Sequence, residues 1–255
     1  MAALLSIETI SNACDSVSHR LALAREPAPE AAGGPSLRRL AGELSALGEP
    51  FRRPFRPRAP IPLAAVSRSV MLLPGFATHP VRMRFLARGL REAGHRVFHW
   101  GEGFNWGASA ERLDRLEARA QALSERCGEP IVLVGWSLGG LFAREVAKRR
   151  PRAVSKVVTM GSPFSYSPRA NNVWRAYQLI TGHPVDKPPV AVDLSVKPPV
   201  ETVAMWSPRD GIVHPRAARG IAGERDRELA LRCTHLGFAY DPEALSAVLR
   251  ELDPG

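Results

Sequence analysis

The sequence predicts an α/β protein built on a mostly parallel sheet with helices on both faces. Three observations carry that expectation. Apolar runs of strand length alternate with helical stretches from Ser69 onward, the pattern a parallel sheet with crossover helices requires. One of these runs passes through Gly135-Trp-Ser-Leu-Gly139 directly into a helical stretch. With 45% hydrophobic and 24% charged residues and a mean hydropathy of -0.14, the chain has a soluble globular composition, and its 255 residues suit one domain plus an appendage.

Taken in order, residues 1–25 show sparse helical periodicity and 36–48 form a short amphipathic candidate, while 27–35 and 50–62 are rich in Pro, Gly and Arg. The chain therefore divides into an N-terminal extension, 1–62, partly helical with a Pro/Arg-rich linker, and a folded domain, 63–255. Strands are expected at 69–73, 95–100, 131–136, 156–161, 202–207 and 228–232. Helices are expected near 81–93, 108–126, 137–150 and 241–252. The second helix shows why: Leu113, Leu116, Ala120 and Leu123 share one stripe, and Glu111, Arg112, Arg115 and Glu117 fill the remainder.

Composition also excludes classes of function. The longest uncharged run, Pro130 to Ala143, falls short of the roughly 18 apolar residues of a membrane span. The first charged residue is Glu8, so no basic n-region marks a secretory leader. Cys14, Cys127 and Cys233 are odd in number and lack metal or C-x-x-C spacing, which fits a reducing cytoplasm and predicts neither metal nor cofactor. The net charge of +10 comes mostly from scattered arginines, and no nucleic-acid partner is expected. One cluster, Phe51-Arg52-Arg53-Pro54-Phe55-Arg56-Pro57-Arg58, could meet an anionic membrane surface and make the protein peripheral. A solvated, Pro-stiffened linker is the preferred reading of 51–58.

The chemistry centres on Ser137. A serine is a poor nucleophile unless it is exposed on a sharp turn beside a base, and Gly135 and Gly139 are the small neighbours such a turn needs. The bare G-x-S-x-G pattern would arise by chance in roughly one such sequence in eight; the strand before it and helix after it give it weight. A nucleophile here demands an acid and then a histidine, each just after a later strand. Asp210 lies in the turn after Thr202–Trp206, and His235 follows the last strand-like run. Asp186, Asp193 and Asp226 lack that context, and His214 is a rival to His235. A developing oxyanion needs two backbone donors: the N–H of Leu138, after the nucleophile, and that of Phe76, in the Pro74-Gly75 turn after the first strand.

With these features in the order elbow, acid, histidine, the sequence resembles the α/β-hydrolase superfamily over about residues 66–252. Within it the chain looks like bacterial lipase- and esterase-like serine hydrolases, through Leu72-Leu-Pro-Gly-Phe76, Trp100-Gly-Glu-Gly-Phe-Asn105-Trp-Gly107 and Trp206-Ser-Pro-Arg-Asp210-Gly-Ile-Val. Gly135-Trp-Ser-Leu-Gly-Gly140 also resembles the biotin-pathway esterase that cleaves a methyl ester on an acyl-carrier-bound acid. That enzyme usually has a histidine where this chain has Pro74.

The resemblance implies the α/β-hydrolase fold with a small lid, about residues 162–200. The candidate pocket residues are Phe76, Asn105, Trp136, Phe164, Trp174 and Tyr177, the last two at helical spacing with Ile180 on a short lid helix. The implied activity is hydrolysis of a small-molecule or lipid carboxylic ester through a Ser137-His235-Asp210 triad and an acyl-enzyme. Acyl transfer by the same triad and a non-catalytic scaffold of the same fold are the alternatives.

Overall fold

The computed structural model describes residues 7–28, 32–48 and 60–253. Among them, strands β1 (Ser69–Leu73), β2 (Arg96–His99), β3 (Ile131–Trp136), β4 (Val154–Met160), β5 (Glu201–Trp206) and β6 (Arg227–Ala230) form one sheet in the order β2-β1-β3-β4-β5-β6. Every neighbouring pair is parallel. The helices are α1 (Ile7–Ala24), α2 (Leu37–Gly42), α3 (Arg84–Glu92), α4 (Ala110–Cys127), α5 (Leu138–Arg149), α6 (Trp174–Thr181), α7 (Pro215–Arg219) and α8 (Pro242–Leu252).

Strand pleating explains why both sheet faces read as apolar. On one face Val70, Leu72, Val132, Val134, Val203 and Met205 pack with Leu86 and Leu90 of α3 and Leu245 and Val248 of α8. On the other, Met71, Leu73, Ile131, Leu133 and Val157 pack with Leu113, Leu116 and Leu123 of α4 and Phe142 and Val146 of α5. A parallel sheet covered on both faces leaves no place for the polar alternation of a half-exposed strand. The register puts Met71 between Phe98 and Leu133, and Val158 between Val134 and Val203. No helix among the described residues is long and apolar enough to cross a membrane.

The extension is more engaged than its composition suggests. Helix α1 packs against α6. The buried Gln178 Nε2 donates to the Leu23 carbonyl at 2.6 Å, Arg175 donates to the Glu26 carbonyl at 2.9 Å, and Arg169 pairs with the Glu26 carboxylate at 2.6 Å. Two of these contacts join a side chain to backbone and the third is an ion pair, so none requires an apolar stripe in the sequence. The basic cluster 51–58 lies outside the described residues.

Helix α5 starts one residue after β3 ends, and only glycines permit that approach. A Cβ on Gly139 would lie 2.7 Å from the Pro74 carbonyl oxygen, and one on Gly135 would lie 2.5 Å from the Gly139 carbonyl carbon. These obstacles are backbone atoms that cannot turn aside. On Gly89 the obstacle is instead the Leu245 side chain. Gly139→Ala is therefore expected to lower unfolding free energy by about 3 kcal/mol and Gly89→Ala by about half that. Urea denaturation of the two variants checks the order; equal losses would contradict it.

Candidate active site

In the order β2-β1-β3, the connections leave β1 and β3 on opposite sides of the sheet, opening a crevice beyond the carboxyl ends of those strands. The turn after β1 and the single residue after β3 both lie there. Ser137 occupies the latter place with φ 53° and ψ -124°, a conformation that ordinarily suits glycine. Its N–H donates to the Met160 carbonyl at 2.8 Å, tying the turn to the end of β4. Strain of this kind costs about 1–3 kcal/mol and persists where surrounding structure over-determines it.

The turn after β1 backs onto this serine. A Cβ on Gly75 would stand 3.3 Å from the Ser137 Cβ. The buried Asn105 holds the turn: its Nδ2 donates to the Pro74 carbonyl at 2.8 Å, and its own carbonyl accepts from the Ala77 N–H at 2.7 Å. Thr78 Oγ1 closes the loop on the Gly75 carbonyl at 2.7 Å. Phe76 thus lies in a braced loop next to Ser137, and Leu138 takes the first position of α5.

Asp210 and His235 meet beyond the ends of β5 and β6. Asp210 Oδ1 accepts the N–H groups of Ile212 and Val213 at 2.8 and 2.7 Å, and its Oδ2 lies 2.8 Å from His235 Nδ1. Both residues are almost wholly buried. A carboxylate already accepting two N–H groups calls for the proton on Nδ1, which leaves Nε2 able to accept. Burial pushes the imidazole pKa down, but the Asp210 charge, its hydrogen bond and the nearby Glu43 carboxylate outweigh it, and the net shift is upward. The Trp136 indole donates to the His235 carbonyl at 3.0 Å. Gly161, at φ 59° after β4, makes room: a Cβ there would fall 3.1 Å from both Asp210 Oδ2 and His235 Nδ1.

An apolar cavity of about 110 Å³ opens at Ser137, walled by Phe76, Leu138, Leu141, Trp174, Tyr177 and Val190 among others. Three expected pocket residues are elsewhere. Trp136 points to the opposite sheet face, in the core with Val132 and Val134, because the pleat sends it there. Phe164 is buried beneath the Arg144 guanidinium, 4.2 Å from its ring centroid, and Asn105 is the loop brace just described. Among the rival residues, His214 caps α7 by accepting the Arg216 N–H at 3.2 Å. Asp186 pairs with Arg169, Asp193 accepts from Ser195, and Asp226 pairs with Lys197. Two residues at the site were not expected: Gly161, hinted at only by a glycine directly after a strand, and Glu43, for which spacing and composition offered no signal.

The family model for the alpha/beta hydrolase fold matches residues 121–179. The pimeloyl-[acyl-carrier protein] methyl ester esterase of Vibrio cholerae is 42% identical over 74 residues, 29% of this chain and 28% of its own. The enzyme of the same name from Nitrosospira multiformis is 31% identical over 118 residues, 43% of this chain and 44% of its own. The chain thus aligns with less than half the length of these curated relatives. Among solved structures, the Saccharomyces cerevisiae monoglyceride lipase superposes with a TM-score of 0.54 at 15% identity, covering 76% of this chain and 88% of the lipase. A structure titled for the metagenome-derived lipolytic enzymes LipS and LipT gives 0.54 at 20% identity, covering 75% and 93%. The all-parallel sheet, this partial match and these superpositions give the chain the α/β-hydrolase fold.

The backbone at Ser137 offers a test independent of activity. Alanine keeps the Cβ that makes φ 53° costly, and glycine removes it. Ser137→Gly is therefore expected to be more stable than Ser137→Ala by about 1 kcal/mol. Urea midpoints in the opposite order would show the turn to be unstrained.

Proposed function

We propose that the protein is a serine hydrolase of carboxylic esters with an apolar acyl group. The observation that carries this reading is the buried Asp210–His235 pair, at 2.8 Å, on the same sheet edge as a strained serine that opens on an apolar cavity. His235 Nε2 takes the proton from Ser137 Oγ as Oγ attacks the ester carbonyl carbon. Asp210 holds the imidazole tautomer and stabilises the imidazolium. The amides of Phe76 and Leu138 receive the developing oxyanion. The C–O bond to the alcohol breaks as His235 returns the proton to the leaving oxygen. Water then attacks the acyl-enzyme by the same route and releases the acid. Residues 162–200 serve as the lid, with Trp174 and Tyr177 facing the acyl chain. The curated relatives, named as methyl ester esterases, support the ester as the bond cleaved.

A fluorophosphonate is expected to label Ser137 stoichiometrically and to leave Ser137→Ala unlabelled; labelling that survives the substitution would move the nucleophile elsewhere. Ser137→Ala and His235→Ala should each lower kcat roughly 10³-fold or more, and the double variant little further, because the residues act as a unit. An apolar space of about 110 Å³ is below the ~150 Å³ that accommodates benzene, so turnover of p-nitrophenyl esters should peak at acyl chains of about four to six carbons.

The pH profile tests the base. His235 must be neutral to accept the serine proton, and its pKa is raised. The rising limb of kcat/KM should thus lie above the ordinary imidazole value of 6.5. Asp210→Asn removes the leading upward cause, so that limb should move to lower pH while kcat falls about 10²- to 10⁴-fold. An unmoved limb would sever Asp210 from the base.

A further inference from the structure

The extension reaches the heart of this site through one carboxylate. Glu43, the first residue of the 3-10 turn after α2, is only 5% exposed. Its Oε1 accepts the Gly211 N–H at 2.8 Å and the His235 N–H at 2.7 Å, and its Oε2 accepts the Leu236 N–H at 2.9 Å. A single side chain thus grips the amide next to Asp210 and the amides on both sides of the His235 α-carbon. The extension backbone lies flush against the same loop: a Cβ on Gly211 would stand 2.6 Å from the Arg39 carbonyl carbon and 2.8 Å from the Leu40 nitrogen. Asn172, from the lid segment, closes the arrangement by donating to the Pro35 and Gly211 carbonyls at 3.0 and 2.7 Å.

We infer that Glu43 is a positioning residue of the Asp210–His235 centre, tying the loop of the acid to the loop of the base, so that residues 36–48 complete the site. The inference rests on the hydrolase reading for what the centre does. Asp210 and His235 come from loops after different strands, and their 2.8 Å separation holds only while those loops keep register. Misplacement by about 1 Å is enough to cost roughly 10²-fold in rate. Glu43 also sets the charge around the ring. His235 faces Asp210 from the loop after β5 and Glu43 from the extension, and both carboxylates raise its pKa against burial. From its own loop comes the Cys233 thiol, which burial pushes upward and keeps neutral.

The test compares the full chain with Glu43→Ala and Glu43→Gln, on a soluble short-chain p-nitrophenyl ester. Glu43→Ala is expected to lower kcat about 10²-fold with KM within about twofold. Glu43→Gln keeps the shape and one acceptor oxygen but removes the charge, so kcat should fall about 10-fold and the rising limb of kcat/KM should move to lower pH. A purely structural side chain would lower the urea midpoint and leave kcat and that limb of the folded enzyme unchanged, which would overturn the proposal. A second readout does not need turnover: ¹⁵N NMR titration of the His235 ring in wild type and Glu43→Gln. The imidazole should titrate at lower pH in the variant; an identical titration would overturn the role of Glu43. If the wild type neither hydrolyses esters nor takes the fluorophosphonate, the hydrolase reading fails, and the ring titration still decides whether Glu43 acts on His235.

Discussion

Strand β3 ends at Trp136 and helix α5 begins at Leu138, leaving one residue to turn the chain. Close packing of that strand against that helix is the constraint from which the edge of the sheet follows. Gly135, Gly139 and Gly140 leave no side chain between the two elements, so Ser137 must take the whole reversal at positive φ. The same approach brings Gly139 against the carbonyls that end β1, which seats the Pro74-Gly75-Phe76 turn over the serine. The strain, about 1–3 kcal/mol, is smaller than the combined burial of residues such as Leu72, Val134 and Val158, each contributing about 1.5–3 kcal/mol.

The electrostatics of the site run against the charge of the molecule. A chain of net charge +10 surrounds a buried imidazole with two carboxylates, Asp210 in direct contact and Glu43 bound to the flanking amides. Each carboxylate is held by backbone N–H groups, and such fixed dipoles need no reorganisation when the ring gains a proton. The apolar cavity beside Ser137 keeps the local dielectric low, which strengthens those interactions.

Much of this was legible in the sequence, for identifiable reasons. The strands stood out because a sheet buried on both faces leaves unbroken apolar runs, and the Val132 to Trp136 run is the clearest case. The shared edge of Ser137, Asp210 and His235 followed from their positions after the parallel strands β3, β5 and β6. The pocket was less legible. Trp136 lies beside Ser137 in sequence, but a pleat sends neighbours to opposite faces; Phe164, in the loop after β4, is taken up by the Arg144 guanidinium, and chain position alone carries no information about the cavity wall. The extension was misleading: in the amphipathic 36–48 stretch, Leu37 and Leu44 are 79% and 65% exposed and the charged Glu43 is buried. Its partners are backbone amides, which every residue possesses, so no side-chain pattern announces them.

The bond from Glu43 to Leu236 closes a loop of 193 positions, and the one from Arg20 to Leu179 a loop of 159. Contacts so distant in the chain form late, after local helices and neighbouring strands. At a synthesis rate of about 5–20 residues per second, roughly 10–40 s separate the emergence of Glu43 from that of Leu236. For most of that interval, until Gly211 emerges, the Glu43 carboxylate has none of its final partners, and it lacks the last of them until Leu236 follows. Assembly of this edge is therefore tied to the arrival of the last strand, and a nascent chain with most of its sheet formed still lacks the clasp between the Asp210 and His235 loops.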